Sequence, residues 1–164
     1  MAFYYQRAYT IPGNLYAANA LANWFEAEHL LTLLGKRKWG DVIKGPGTES
    51  YRLPSSMKSA ADELSKLKNS MLNLPPDKMD YRDMVGMAAI ELSLCIFSVR
   101  QTSANDLLNV YKKIWDKAGS QGKKLAEIEH FDFLLDAYGQ VSKNKIPGVL
   151  KLIRDLKTGL SKMI

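Results

Sequence analysis

Two short motifs combine the residue types that carry acid–base or metal chemistry. Glu26 precedes His29 by three residues, Glu127 precedes His130 by the same spacing, and the chain has only these two histidines. Residues three apart lie on one face of an α-helix, so each motif would present a carboxylate beside an imidazole. Di-iron carboxylate bundles of the ferritin-like kind use such pairs, together with one glutamate from each of two further helices.

The other ligands of such a centre would come from the second and third predicted helices. Glu63 and Glu91 are available there, and Glu91 stands in an apolar segment where a buried carboxylate needs a cation or a hydrogen-bond donor. The order of the motifs along the chain differs from the familiar alternation, and glutamates three residues before histidines are common on solvated helix faces. Two interpretations stay open: two surface or capping histidines with no cofactor, or an iron or manganese centre made by Glu26, His29, Glu63, Glu91, Glu127 and His130.

The sequence lacks the signatures of nucleophilic catalysis. Its single cysteine, Cys95, lies between Leu94 and Ile96, where a free thiol is most often a small core residue. No Gly-x-Ser-x-Gly elbow and no phosphate-binding glycine loop is present. We therefore expect a binding protein rather than an enzyme.

Positive charge is concentrated near the C-terminus. Lys and Arg total 23 against 17 for Asp and Glu, and residues 111–164 contain eleven basic and six acidic residues. Basic side chains attract phosphates by Coulomb interaction and counterion release, and lysine suits backbone contact better than base recognition. We predict a continuous positive strip for the phosphate backbone of RNA or DNA, made by Lys112, Lys113, Lys117, Lys123, Lys124, Lys143, Lys145, Lys151, Arg154 and Lys157.

A second basic patch is formed by Lys36, Arg37 and Lys38, followed by Trp39, whose indole could stack on a base. The sequence contains no zinc-finger spacing and no aromatic signature of an RNA-binding sheet. Binding would therefore depend on shape and salt rather than on base sequence. The alternative is that all these lysines are the solvated faces of amphipathic helices.

The pattern of apolar residues predicts an all-α fold. Apolar positions recur at three and four, and capping and stop signals fall at helical lengths. We expect one domain over residues 1–164, a compact bundle of about five to six helices around a central apolar helix at 80–100. The other helices are predicted at 15–34, 55–72, 103–117, 123–138 and 147–163, with Pro147 opening the last. Residues 36–54 are rich in Gly and Pro and predict a long flexible connection.

In size, helical content and charge, the chain resembles the small helical subunits of CRISPR surveillance complexes. The features that carry the resemblance are Lys112-Lys113, Lys123-Lys124 and the pair Lys151/Arg154; it extends over the whole chain but includes no shared motif. Such subunits are basic bundles that lie along the guide and target strands. The resemblance implies an RNA-binding, non-catalytic subunit of an antiviral complex, and it assigns no role to any single residue.

A different class of function also fits the composition. A protein-interaction adaptor or immunity-type module would expose aromatic residues, for which Tyr4, Tyr5, Tyr9 and Trp39 are candidates. The partners we expect are nucleic-acid backbone and other protein subunits of an assembly, with self-association open. The start of the chain has no apolar signal core and the apolar stretch at 84–99 is interrupted by polar residues, so we expect a cytoplasmic protein without a membrane partner.

Overall fold

The computed structural model describes residues 5–6, 9, 16–45, 47–75, 77–98 and 101–164. Within these ranges the chain forms six α-helices and one short β-hairpin, which confirms the prediction of a compact helical bundle. The helices are α1 (Ala17–Leu33), α2 (Met57–Leu72), α3 (Tyr81–Ile96), α4 (Ala104–Ala118), α5 (Gln121–Gly139) and α6 (Val149–Ser161), and the strands are β1 (Val42–Lys44) and β2 (Ser50–Arg52).

Helix α3 is the centre of the bundle, as its composition predicts. Asp80 Oδ1 accepts the backbone N–H of Arg82 at 2.8 Å and of Asp83 at 3.2 Å, and the Asp83 carboxylate accepts the Asp80 N–H at 3.1 Å. This reciprocal capping box pairs backbone donors that a helix start leaves unbonded. Most side chains of α3 are buried, and α1, α2 and α4 all pack against it.

Helices α4, α5 and α6 form the other half of the bundle. Ser103 Oγ accepts the Asp106 N–H at 3.1 Å at the start of α4, and Ser120 Oγ accepts the Lys123 N–H at 3.4 Å at the start of α5. Gly119 makes the turn between these helices with a left-handed φ of 69°, a conformation that favours glycine. Helix α6 then packs on both α4 and α5 through its apolar face, made by Val149, Ile153, Leu156 and Leu160.

Residues 36–54 contain a β-hairpin that the sequence prediction of a flexible connection missed. Strands β1 and β2 are antiparallel, with Ile43 opposite Tyr51. Next to the strands, the Leu53 N–H donates to the Asp41 carbonyl at 2.9 Å. The Leu53 side chain belongs to the core and is 2% exposed. Strands of three residues are too short for an alternating pattern to be visible in the sequence, which explains the error.

Two predicted helix starts also differ from the structure. Helix α5 begins at Gln121, two residues before its predicted start, because Ser120 supplies the cap. Pro147 does not open α6, since Gly148 with a left-handed φ of 78° precedes the first helical residue, Val149.

The central helix ends earlier than predicted. Its last residue is Ile96, and Ser98 then adopts a left-handed φ of 59°. The predicted end at Arg100 and the predicted start of the first helix at Leu15 lie outside the described residues. None of the described helices is long and apolar enough to cross a bilayer.

Candidate functional site

Five of the candidate lysines lie where α4 ends and α5 begins. Lys117 Nζ donates to the Met79 carbonyl at 2.9 Å, and Lys123 Nζ lies 4.5 Å from the centroid of the Tyr81 ring. Contacts with a carbonyl or an aromatic face position an ammonium group without neutralising its charge. We call this group the α4–α5 basic cluster; it comprises Lys112, Lys113, Lys117, Lys123 and Lys124.

A second basic group lies at the opposite end of α5. Lys145 Nζ donates to the Leu33 carbonyl at 3.0 Å, which places the turn after α5 beside the segment that follows α1. Arg37 of that segment is balanced by Glu28, because its Nε donates to Glu28 Oε2 at 3.1 Å. The α5–α6 basic cluster comprises the exposed residues Lys36, Lys38, Lys143 and Lys145. Helix α5, with 19 residues and a length of about 28 Å, lies between the Lys123–Lys124 pair of the first cluster and Lys143 of the second.

The surface between the clusters is not the continuous basic strip that the sequence predicts. Lys157 of α6 pairs with Asp132 of α5, and Lys151 pairs with Asp155 one turn later in α6. Arg154 is exposed. Without these two ion pairs, residues 111–164 still hold nine basic and four acidic side chains, so the excess of five positive charges persists.

Trp39, predicted from the sequence as a stacking platform, is partly buried against the core. Its ring packs edge-on against Phe25, with centroids 6.4 Å apart, and against Phe97 at 6.5 Å. An indole is among the largest apolar groups in the chain, and burying part of it in the core outweighs leaving it in solvent. The segment of residues 36–38 therefore contributes charge, and the ring of Trp39 beside it is partly occupied by core contacts.

The aromatic residues expected on the surface of a docking module are partly buried at the three predicted positions that the structure describes: Tyr5, Tyr9 and Trp39. Tyr4 lies outside the described residues. The large apolar side chains that are exposed are distributed over several elements: Tyr16, Val42, Leu72, Leu74, Leu125, Phe133 and Ile164.

The six residues of the metal interpretation do not converge. Glu63 is exposed on α2, and Glu91 pairs with Lys68 of α2. Within the described ranges, no group of three His, Cys, Asp or Glu side chains is placed to hold a metal ion. The spacing of three residues places the glutamate and histidine of each motif on one helix face, but the two side chains of a motif contact different neighbours.

Glu26 and His130 do meet, one from each motif. Glu26 Oε2 lies 3.6 Å from His130 Nε2, and the Glu26 side chain is only 6% exposed. Burial alone would lower the pKa of His130, but the contact with Glu26 and the charges of Glu26 and Glu127 outweigh it and raise that pKa. Burial raises the pKa of Glu127, partly offset by His130. Glu26 Oε1 has no hydrogen-bond partner in the described part of the chain.

His29 occupies a separate position in the core. Its ring packs against Phe97 with centroids 4.8 Å apart, and its Nδ1 lies 3.4 Å from the Tyr138 hydroxyl. Burial lowers the pKa of His29 to about 4, so the imidazole is neutral near pH 7. Burial also raises the pKa of Tyr138 well above its usual value, with a smaller effect from Glu26. His29 is thus a buried core histidine, and the expectation of a surface or capping residue is wrong for this position.

Cys95 is a buried free thiol, as its apolar neighbours predict. It is 8% exposed and belongs to the hydrophobic core of the bundle. Its burial confirms the sequence interpretation of a core residue.

A cleft of about 200 Å³ opens beside the Glu26–His130 pair, between α1 and α5. The sequence analysis did not identify Asn23, Leu134 or Tyr138 as site residues. A usable signal was present, because His130, Leu134 and Tyr138 recur at a spacing of four and therefore share one helix face. We call this feature the Glu26 cleft; it is lined by Tyr5, Asn23, Glu26, Ala27, Leu30, Leu31, His130, Phe133, Leu134 and Tyr138.

Comparison with known proteins does not assign a family to this arrangement. No protein-family model, no curated protein and no solved structure matches the chain. The functional argument therefore depends on the placement of the basic clusters and of the cleft.

Proposed function

We propose that the protein is a non-catalytic, cytoplasmic helical subunit that binds nucleic-acid backbone within a larger ribonucleoprotein assembly. The α4–α5 and α5–α6 basic clusters are its contact surfaces. An antiviral complex of the CRISPR type is the assembly that the sequence resemblance indicates.

One observation carries this proposal: positive charge remains in excess over residues 111–164 after their ion pairs are taken into account. Lys112 and Lys113 on α4 and Lys143 after α5 are exposed, and none has an ion-pair partner among the described residues. Exposed lysines without acidic partners can neutralise phosphates and release their condensed counterions. Because lysine suits backbone contact and Trp39 is partly buried, the expected binding has little dependence on base identity.

Binding to two fluorescein-labelled single-stranded RNAs of unrelated sequence tests the proposal. Fluorescence anisotropy would be measured between 50 and 200 mM salt. For about four phosphate contacts on a single strand, the affinity should fall with a log–log slope of roughly −3, equal for both RNAs. Binding that is insensitive to salt, or absent at 50 mM salt, would exclude nucleic-acid backbone as the ligand.

Purification of the tagged chain from its native host separates this function from that of a protein-only adaptor. Under the proposal, nuclease-sensitive RNA or DNA co-purifies together with protein subunits. Protein partners that remain bound after nuclease treatment, with no nucleic acid recovered, would instead support an adaptor.

A further inference from the structure

The Glu26 cleft contains a buried acceptor whose natural partner is a hydrogen-bond donor. Glu26 is 5% exposed, its Oε2 faces His130, and its Oε1 accepts no hydrogen bond from the described residues. A buried carboxylate oxygen left without a donor is costly, so such an atom at a cleft wall marks a place where a ligand can supply one.

Two other polar groups at the cleft, Asn23 and Tyr138, also offer acceptors. Asn23 donates its Nδ2 to Asn19 Oδ1 at 3.3 Å, which leaves its own amide oxygen as an acceptor. The Tyr138 hydroxyl lies 3.4 Å from His29 Nδ1, and a phenol oxygen retains an acceptor lone pair whichever group donates. A carboxylate, an amide oxygen and a phenol oxygen together match the three N–H donors of a primary ammonium group.

The rest of the cleft is apolar and small. Its walls include Leu30, Leu31 and Leu134, and Phe133 at its edge is 38% exposed. A volume of about 200 Å³ is below the roughly 300–1,000 Å³ of pockets that hold drug-sized ligands. The space therefore suits a compact apolar body.

We propose that the Glu26 cleft binds a compact organic ammonium ion, an apolar body with one primary amine, whose N–H groups are accepted by Glu26, Asn23 and Tyr138. The charge of the site agrees with this class of ligand, because the buried carboxyl group of Glu26 lines the cleft and the nearby charge of Glu127 is also negative. This binding site is independent of the two basic clusters and of the nucleic-acid proposal.

Calorimetric titration with phenethylamine and with phenethyl alcohol tests the proposal. The two probes have the same apolar body, and only the amine carries a positive charge at pH 7. We expect the amine to bind and the alcohol to bind at least about tenfold more weakly, since a hydrogen bond to a charged group contributes about 1.5–3 kcal/mol. Equal affinity for the two probes, or no binding of the amine, would overturn the proposal.

Variants of the cleft residues test whether the amine binds at Glu26. Glu26→Gln should weaken binding of the amine by roughly ten- to a hundred-fold, whereas the matched control Glu129→Gln, on the exposed face of α5, should leave it unchanged. Ala27→Leu places a larger side chain in the cleft, keeps both charges, and should abolish binding even if Glu26→Gln fails to fold. Amine binding by Ala27→Leu at the affinity of the unchanged protein would contradict the assignment.

A primary amine on an apolar chain can be a free metabolite or the lysine side chain of a partner. Lysine blocked at both ends as its acetyl and methylamide derivative distinguishes these sources. Tighter binding of blocked lysine than of phenethylamine supports a protein lysine, and the reverse order supports a free amine. With either order of affinity, the amine is assigned to the Glu26 cleft only if Glu26→Gln or Ala27→Leu loses binding.

Discussion

Glu26 Oε2 on α1 lies 3.6 Å from His130 Nε2 on α5. The contact joins the acid of the first Glu-x-x-His motif to the base of the second, while His29 packs against Phe97 instead. Two similar motifs thus contribute to the fold in different ways: His29 is a neutral core residue, and the partly buried His130 contacts a buried carboxylate. Their titrations should therefore have opposite effects on stability.

His29 should make the protein sensitive to acid. Its pKa in the folded chain is about 4, below the value of 6.5 that an unfolded histidine has, so folding favours the neutral ring. The corresponding stability is present above pH 6.5 and is lost as the pH falls toward 4, by about 3 kcal/mol. Urea unfolding should be measured at pH 7, 5.5 and 4. Over this range, the free energy of unfolding of His29→Gln should fall by about 3 kcal/mol less than that of the unchanged protein. Parallel losses in the two proteins would contradict the assignment.

His130 should show the opposite dependence. Its pKa is raised above 6.5 after burial is outweighed by Glu26 and Glu127, so the stability that its pairing contributes is present below pH 6.5 and is lost as the pH rises through the raised value. The difference in unfolding free energy between the unchanged protein and His130→Gln should therefore be largest near pH 6 and shrink toward alkaline pH. An NMR titration of the imidazole checks the direction directly: a folded-state pKa below 6.5 would refute it.

Gly86 should be intolerant of a side chain because α1 and α3 touch there. A Cβ at this position would lie 2.7 Å from Ala18 Cβ, an atom that cannot move without shifting a helix. Overpacking of this kind costs roughly 1–3 kcal/mol and exceeds the gain of about 1 kcal/mol from replacing a helical glycine. Thermal unfolding should show a lower Tm for Gly86→Ala.

Gly159 is the matched control for Gly86. A Cβ there would meet Leu108 Cδ1 at 2.5 Å, but that atom is the end of a flexible, partly buried side chain. Gly159→Ala should therefore be neutral or more stable by up to about 1 kcal/mol. An equal loss of Tm in both variants would show that the contact with Ala18 is not the cause.

Lys68 should be needed for stability only while the Glu91 carboxylate is present. The side chains are 15% and 10% exposed, so Lys68→Met leaves a charge in the core and should cost roughly 3–5 kcal/mol. Adding Glu91→Leu should restore most of that loss in a double-mutant cycle measured by urea unfolding. The exposed pair Lys58–Asp62 is the control, since Lys58→Met should cost at most about 1 kcal/mol. A double variant no more stable than Lys68→Met would contradict this account.

Local signals in the sequence predict much of the fold. Ser56, Asp80 and Ser103 each precede an amphipathic or apolar run, and in the structure each side chain accepts a backbone N–H in the first turn of a helix. The helix around Ile90 is apolar on all sides and is therefore central. These features depend on neighbours within a few residues, and for that reason they can be read from the chain itself.

The candidate site depends on contacts between distant residues, and the sequence cannot specify them. The spacing of four predicts that His130 and Tyr138 share a face of α5, but not that this face meets Glu26. Likewise, the pairing of Lys157 with Asp132 joins two helices and splits the expected basic strip. Helix packing selects which faces meet, and that selection depends on the whole core.

The salt dependence of RNA binding in charge-neutralised variants tests the proposed function most directly. Lys112→Gln/Lys113→Gln removes two exposed positive charges from α4, and Lys58→Gln/Lys66→Gln removes the same charge from exposed positions of α2. If the α4–α5 basic cluster contacts the backbone, the first variant should lower the steepness of the log–log salt plot by roughly 1.4, while the second leaves it unchanged. Identical slopes for both variants and the unchanged protein would contradict the account.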